Sequence, residues 1–205
     1  DPEFGIAHCL TPEALAEALD QEPDAVAAMV VSPTYFGAVA DVASLAEVAH
    51  ERDVPLVVDE AWGAHLTFSD RLPESALACG ADAVLSSIHK IMGSITQSAI
   101  VHVSDSGRID EAVLDRAVTL IETTSPNGLL TASLDATRRL AATRGAELLA
   151  ETVDSLAELR EEIRQIPGLD VIDEGLTEAP SVFAYDPFRL VVDVLTLTAT
   201  PIPRT

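Results

Sequence analysis

Apolar and polar positions along the first half of the chain form blocks of two alternating kinds. Short apolar runs of strand length cover residues 25–31, 54–58, 83–86 and 98–103. Periodic helical patterns cover 11–21, where Thr11 is the predicted N-cap, and 42–52. The run at 25–31 predicts a strand covered on both faces, the run at 54–58 predicts another buried strand, and the other two predict a third and a fourth strand. Strand and helix in alternation with short connections indicate an α/β fold with a mainly parallel sheet.

The second half of the chain carries longer helical patterns. They cover 109–120 and 132–166, and the second is interrupted only by Gly145 before Pro167 and Gly168. Short strands are predicted at 169–172 and 189–194, with a loop at 173–187 between them. We therefore expect part of a major domain at 1–140, the long helix and the start of a small α+β domain at 141–194, and an atypical tail at 195–205.

The charge balance excludes several classes of function. The chain has 205 residues, with 12 basic and 34 acidic side chains and a formal net charge of −22. Non-specific nucleic-acid binding and attraction to anionic membranes both need positive charge, so neither is expected.

The longest apolar run has seven residues, whereas a membrane span needs about 20. No basic start followed by an apolar segment occurs within this sequence, so we expect a cytoplasmic protein. The chain begins with Asp1, and we expect a fragment or a processed form.

Two cysteines without a CxxC motif argue against a cysteine metal site, and we expect no metal.

The basic residues are 11 Arg and one Lys, Lys90. Lys90 follows the predicted strand 83–86, and Asp59 follows the predicted strand 54–58. Ligands of open parallel sheets bind beyond the carboxyl ends of the strands, where both residues lie. A lysine that forms an imine and an acid that holds a proton on a ring nitrogen suggest pyridoxal phosphate. A purely structural Asp59–Lys90 pair across the strand ends is the alternative that spacing leaves open.

The identity and order of several blocks carry a family resemblance. The most specific are D-E-A-x-G-A-H from Asp59 and S-x-H-K ending at Lys90. Over about residues 5–194 the sequence resembles the major domain of the ornithine/lysine/arginine decarboxylase family, which has an aspartate-aminotransferase-like fold. The blocks occur in this order: Val31–Gly37, Val57–His65, Gly80–Asp82, Ser87–Lys90, Thr96–Ser98, Thr123–Pro126 and Ala132–Asp135.

The resemblance implies a role for each matching position. Lys90, Asp59 and His89 are implied to be catalytic, with Lys90 as the lysine that holds the cofactor and Asp59 as the partner of its ring nitrogen. Ala61 is implied to pack beneath the ring, and Trp62 to lie beside its phenolic oxygen, although some members have His there. The cofactor, pyridoxal 5′-phosphate, is then expected to contact Lys90, Asp59, Ala61, Trp62, Ser87, His89, Thr124 and Ser125.

The resemblance also implies an activity and partners. The expected reaction is decarboxylation of ornithine, lysine or arginine to a polyamine precursor. The loop at Thr124 and Ser125 resembles one that reaches a neighbouring subunit, so a homodimer or larger homo-oligomer is expected. Two alternatives stay open: a non-catalytic or truncated α/β module of the same fold, and an aminotransferase or lyase on that fold.

The sequence departs from the family pattern in three places. The family has a preceding stretch with a phosphate-binding loop and a ring-stacking residue, so we expect these residues alone to be an incomplete decarboxylase. Asn127-Gly128 stands where the family usually has Ser-Tyr. Residues 195–205 resemble instead a motif of helicases such as the transcription-repair coupling factor. A helicase phosphate loop needs Gly before its Lys, and Lys90 follows His89, so helicase activity is excluded.

Overall fold

The computed structural model describes residues 4–194, which form an α/β structure with a long helix in the second half of the chain. Short 3-10 helices at Leu66–Phe68 and Glu174–Glu178 join the main elements. In chain order these are α1 (Pro12–Gln21), β1 (Ala28–Val31), β2 (Ala38–Val39), α2 (Val42–His50), β3 (Leu56–Asp59), β4 (Ala83–Ser86), α3 (Ile88–Ile91), β5 (Ile100–Val103), α4 (Glu111–Ile121), α5 (Gly128–Arg164), β6 (Asp170–Ile172), β7 (Ala184–Tyr185) and β8 (Val191–Asp193).

Polar side chains cap the N-termini of α1 and α2 at the boundaries that the sequence predicts. Thr11 Oγ1 accepts a hydrogen bond from the backbone N–H of Ala14, which confirms Thr11 as the N-cap of α1. Asp41 caps α2 in the same way through the N–H of Ser44. Each cap satisfies a backbone donor that the first helical turn leaves without a partner.

The main sheet has the strand order β1-β3-β4-β5. β1, β3 and β4 are parallel, and β5 runs antiparallel to β4. The α/β fold with a mainly parallel sheet is therefore confirmed. Register places Asp59 opposite both Val31 and Leu85, so these three residues share one face of the sheet.

The core lies on one face of this sheet. Leu56 and Val58 of β3 are fully buried and pack in one cluster with Leu45 of α2. On the opposite face, Met29 and Val31 of β1 are 64% and 51% exposed. The prediction that β1 is covered on both faces is thus wrong, because α1 and α2 cover only one. The face with Met29, Val31 and Asp59 is called the open face below.

Two short antiparallel ladders lie beside the main sheet. β2 pairs with β7, and β6 pairs with β8. The prediction of a loop over 173–187 is wrong in part, since this segment contains the 3-10 helix and β7. A two-residue strand has no periodicity, and β7 forms only because β2 supplies its partner. Tyr185 packs in the same core cluster as Leu45. The division between a major domain at 1–140 and a second part at 141–194 stays a prediction.

The long helix predicted over 132–166 is α5, which has 37 residues. Asn127 caps its start, and Gly145 packs inside it against Phe68, to which an added Cβ would come within 3.1 Å. No helix in the described part of the chain is long and apolar enough to cross a membrane. Residues 195–205, where the atypical tail is predicted, lie outside the described residues.

Candidate functional site

The turns that follow β1, β3 and β4 form one edge of the sheet, as parallel strands require. Gly63 brings the first two of these turns together. A Cβ on Gly63 would lie 2.9 Å from Pro33 Cδ and 2.5 Å from Glu60 Cγ, so only glycine fits there. The turn after β3 is therefore packed directly on the turn after β1.

Asp59 is the last residue of β3 and is half-buried on the open face. Its Oδ1 accepts a hydrogen bond of 3.0 Å from the backbone N–H of Ala61. Ala61 is buried, so the acid and the small residue predicted to pack beneath a ring are held in a fixed relation. Within residues 4–194, the other carboxylate oxygen of Asp59 accepts no hydrogen bond, so it is available to a partner at the sheet edge.

Lys90 lies in α3 with its side chain exposed. Its Nζ is 5.0 Å from the centre of the Trp62 ring. Among the salt bridges of residues 4–194, none joins Lys90 to Asp59, so the structural ion pair that spacing left open is not formed. The structure brings Lys90, Trp62 and Asp59 to one edge, with the aromatic ring next to the amine.

Ser87 and His89 flank Lys90 and are both half-buried. The His89 ring lies with Nδ1 2.9 Å from the carbonyl oxygen of Ser98, to which it donates. This contact fixes the ring on the segment that leads into β5. Ser87 is the N-cap residue of α3, but its hydroxyl caps no backbone N–H, which leaves it available to another acceptor or donor.

Thr124 and Ser125 lie on the exposed connection between α4 and α5. The N–H of Ser125 donates to Thr123 Oγ1, a contact within the loop. Within residues 4–194, no hydrogen bond joins either residue to Lys90 or Asp59. The structure thus places six of the eight predicted cofactor contacts at the sheet edge and these two on a separate loop.

Arg189 is a site residue that the sequence analysis missed. Its guanidinium carbon lies 4.0 Å from the centre of the Trp62 ring, and Nη2 donates to the Trp62 carbonyl oxygen at 3.3 Å. Burial lowers the pKa of Arg189, and the nearby Asp186 opposes this. One arginine among 11, outside any motif, gives no signal in the sequence.

His65 and Asp186 form a buried pair behind this site. Both side chains are fully buried, and His65 Nε2 lies 3.1 Å from Asp186 Oδ1. Phe188 packs on the His65 ring with centroids 4.6 Å apart. The family resemblance implies that His65 orients the Asp59 turn, and this stays a prediction.

Glu60, next to Asp59, faces away from the open face. It is 4% exposed, and burial raises its pKa to about 7, although the N–H of Ala76 donates to it and opposes the shift. Glu60 lines a cavity between the sheet and α5 together with Ser86, Ile88 and His102. Lys90 and Asp59 do not line this cavity, so the candidate site is separate from it.

The side chains at the sheet edge suit an aromatic aldehyde cofactor. Lys90 supplies an exposed primary amine, and Asp59 supplies a carboxylate on a fixed turn. Ala61 leaves space beside that turn, and Trp62 supplies an aromatic wall. Groups of three or more His, Cys, Asp or Glu able to hold a metal are absent from residues 4–194.

Known proteins similar to this chain share its family and its fold. Residues 3–188 match the family model described as Orn/Lys/Arg decarboxylase, major domain. Arginine decarboxylases of Halalkalibacterium halodurans and Bacillus subtilis are each 40% identical over 200 residues. The match covers 98% of this chain and 40% and 41% of those proteins, so the chain spans about two fifths of their length.

Solved structures show the same fold. A methionine gamma lyase from Micromonospora echinospora is 27% identical with a TM-score of 0.59, over 87% of this chain and 48% of that one. An alanine–glyoxylate aminotransferase from Nostoc is 18% identical with a TM-score of 0.64, over 89% of this chain and 50% of that one. The second likeness bears on the fold alone.

Proposed function

The chain belongs to the Orn/Lys/Arg decarboxylase family, whose major domain it carries, and from this premise we propose that it serves decarboxylation of a basic amino acid. The cofactor of the family is pyridoxal 5′-phosphate. The observation that carries the proposal is the meeting of Lys90, the chain's one lysine, with Trp62 and the Asp59 turn at one sheet edge. When bound there, the cofactor supplies a ring that accepts the electron pair released as the carboxylate leaves as CO2.

Each residue of the edge has its own task. Lys90 would hold the cofactor covalently through Nζ. Asp59 holds a proton at the ring nitrogen, which keeps the ring cationic. Ala61 leaves room for the ring, and Trp62 excludes water from one side of it.

Ser87 and His89 bind polar groups of the cofactor or the substrate beside Lys90. The half-buried positions of both and the contact of His89 with Ser98 support this assignment. Thr124 and Ser125 contribute to the site of a neighbouring copy, since they lie on an exposed loop.

Arginine is the substrate that we propose first, because the relatives at 37–40% identity are named arginine decarboxylases. The product is the amine that corresponds to arginine without its carboxylate. The net charge of −22 favours approach of a cationic substrate. Release of CO2 from arginine, compared with lysine and ornithine, by the active enzyme tests the choice.

A second copy of this chain is the partner that we propose. Leu120, Ile121 and Leu129 flank the Thr124–Ser125 loop and are 85%, 87% and 73% exposed. Exposed apolar patches usually mark contacts between proteins. We also propose a cytoplasmic location, which cell fractionation tests.

Covalent labelling of Lys90 tests the function directly. Pyridoxal phosphate is added, and the bond between its aldehyde carbon and the amine is reduced with borohydride. The peptide masses are then measured by mass spectrometry. The added mass should lie on the peptide with Lys90, since the chain has no other lysine. Lys90→Arg keeps the charge and should lose the label. No label on Lys90 would favour a non-catalytic module, and a product that retains the carboxylate would favour an aminotransferase or lyase.

A further inference from the structure

We propose that Arg189 is a positioning residue of the Lys90 site, which holds the Trp62 indole and the main chain of the turn that carries Asp59. The inference rests on the proposed function only for its effect on the cofactor. Its structural part concerns the contacts between Arg189 and Trp62 and holds for the protein without cofactor.

The main chain of Arg189 is fixed from two sides. Its carbonyl oxygen accepts hydrogen bonds from Tyr185 Oη at 2.8 Å and from Arg160 Nη2 at 2.7 Å. Arg160 also donates to the carbonyl of Pro187 at 2.5 Å. Residue 189 thus enters the site from a backbone that α5 and β7 hold in place.

The side-chain stem of Arg189 is fixed as well. A Cβ on Gly37 would lie 3.0 Å from both Cβ and Cγ of Arg189, so the stem lies directly against this glycine. Gly37 has φ +92°, which a residue with a side chain rarely adopts. A close approach of this kind leaves the arginine few alternative rotamers.

The guanidinium then holds Trp62 in two ways. It lies over the indole at 4.0 Å, a cation–π distance, and it donates to the Trp62 carbonyl at 3.3 Å. That carbonyl belongs to the turn in which Asp59 accepts from the N–H of Ala61. Both the ring and the backbone of the Asp59 turn are therefore tied to Arg189.

The charge beside Arg189 favours this orientation. Asp186 Oδ2 lies 3.8 Å from Arg189 Nε, and within residues 4–194 neither atom has a hydrogen-bond partner. The other oxygen of Asp186 is occupied by His65. Asp186 therefore attracts the guanidinium without taking its donors away from Trp62.

Lys90 depends on the same ring. Its Nζ lies 5.0 Å from the centre of the Trp62 ring, so the plane that Arg189 sets for the indole also sets the surface next to the amine. Without Arg189, we expect Trp62 to move more freely and Lys90 to lose its fixed position beside the Asp59 turn.

Fluorescence tests the structural part, because Trp62 is the chain's one tryptophan. In Arg189→Met without cofactor, acrylamide should quench Trp62 about twofold more strongly, since the cation–π contact is gone. The anisotropy decay should gain a fast component. Arg189→Lys keeps a charge beside Asp186 but lacks a planar group to stack, and it should show the same changes.

Arg71→Met is the matched control. Arg71 also donates to a backbone carbonyl, that of Ala150, and pairs with Asp154, and within residues 4–194 it is not one of the cations over the Trp62 ring. Its quenching should equal that of the unchanged protein. Circular dichroism establishes whether each variant is folded. If Arg189→Met does not fold, the fluorescence of Arg189→Lys provides the test. Folded variants of Arg189 with unchanged quenching and anisotropy would overturn the proposal.

Labelling of Lys90 tests the effect on the cofactor. Borohydride-trapped pyridoxal phosphate should accumulate on Lys90 about tenfold more slowly in Arg189→Met than in Arg71→Met, as expected for a misplaced reacting group. Equal rates in both variants would overturn this part. Absence of label in the unchanged protein would contradict the proposed function and leave the fluorescence result standing by itself.

Discussion

Asp59 and Glu60 are adjacent in the chain but lie in opposite surroundings. Asp59 is half-buried on the open face, whereas Glu60 is 4% exposed and accepts a 2.7 Å hydrogen bond from the N–H of Ala76. The alternation of side chains along an extended segment separates the two acids. One acid is thereby available to a ligand, and the other keeps its proton to higher pH.

Glu60 makes the fold less stable as pH rises. The unfolded chain ionises Glu60 near the ordinary pKa of 4.5, whereas the folded chain keeps the proton until about pH 7. Raising the pH between these values should cost about 3 kcal/mol of stability through this residue. Glu60→Gln should remove that slope in urea unfolding, and Glu47→Gln, at an exposed position of α2, should keep it. An unchanged slope in Glu60→Gln would show that Glu60 is ionised in the fold.

Asp59→Asn should bind pyridoxal phosphate but lose turnover in the active enzyme. The neutral amide cannot hold the ring cationic, and we expect a loss of about three powers of ten in kcat, or about 4 kcal/mol of barrier. Release of CO2 and borohydride labelling of Lys90 measure the two effects separately. Asp70→Asn, on the surface, is the control. Near-normal turnover in Asp59→Asn would refute the role at the ring nitrogen.

Asp82 should stabilise the fold at neutral pH and lose that effect in acid. Although burial opposes ionisation, hydrogen bonds from Ser106, Leu56 and His50 lower the pKa of Asp82 below 3.8. This stability is present above pH 3.8 and is lost as pH falls through the lower pKa of the folded state. Asp82→Asn should cost about 2 kcal/mol at pH 7 and progressively less in acid. Asp20→Asn, at an exposed ion pair, serves as the control in urea unfolding.

Ile121→Asp should dissociate the proposed homo-oligomer. Ile121 is 87% exposed beside the Thr124–Ser125 loop, and a charge there would be buried without a partner on association. Light scattering should give the mass of one chain. Val26→Asp, at a position 88% exposed on another part of the surface, should leave the mass unchanged. A monomeric unchanged protein at micromolar concentration would contradict the proposal.

Local signals in the sequence were enough to predict α1, β4 and the position of Lys90. In these segments a cap, an apolar run or a motif is contained within a few residues of chain. β2 and β7 could not be predicted, because each has two residues and is stabilised only by the other, far away in sequence. Arg189 was missed for the same reason: its contact with Trp62 spans 127 positions.

The open face was also beyond prediction from the sequence. A continuous apolar run such as that ending at Val31 predicts a strand but does not tell which faces other elements will cover. The helices α1 and α2 settle this by packing on one face only. Asp59 lies on the face that these helices leave uncovered. The alternation of side chains along β3 does not tell which of the two faces that is.

The helix α5 connects the loop that is proposed to reach a neighbouring copy with the residues that hold Arg189 in place. Its 37 residues make a rod about 55 Å long. Its first turn follows the Thr124–Ser125 loop, and Arg160 near its other end holds the carbonyl of Arg189. Its interior has no proline, and Gly145 is clamped by Phe68, so the rod contains no hinge. If a neighbouring copy displaced the Thr124–Ser125 loop, α5 would therefore transmit the displacement as a rigid helix to Arg189, which lies on Trp62.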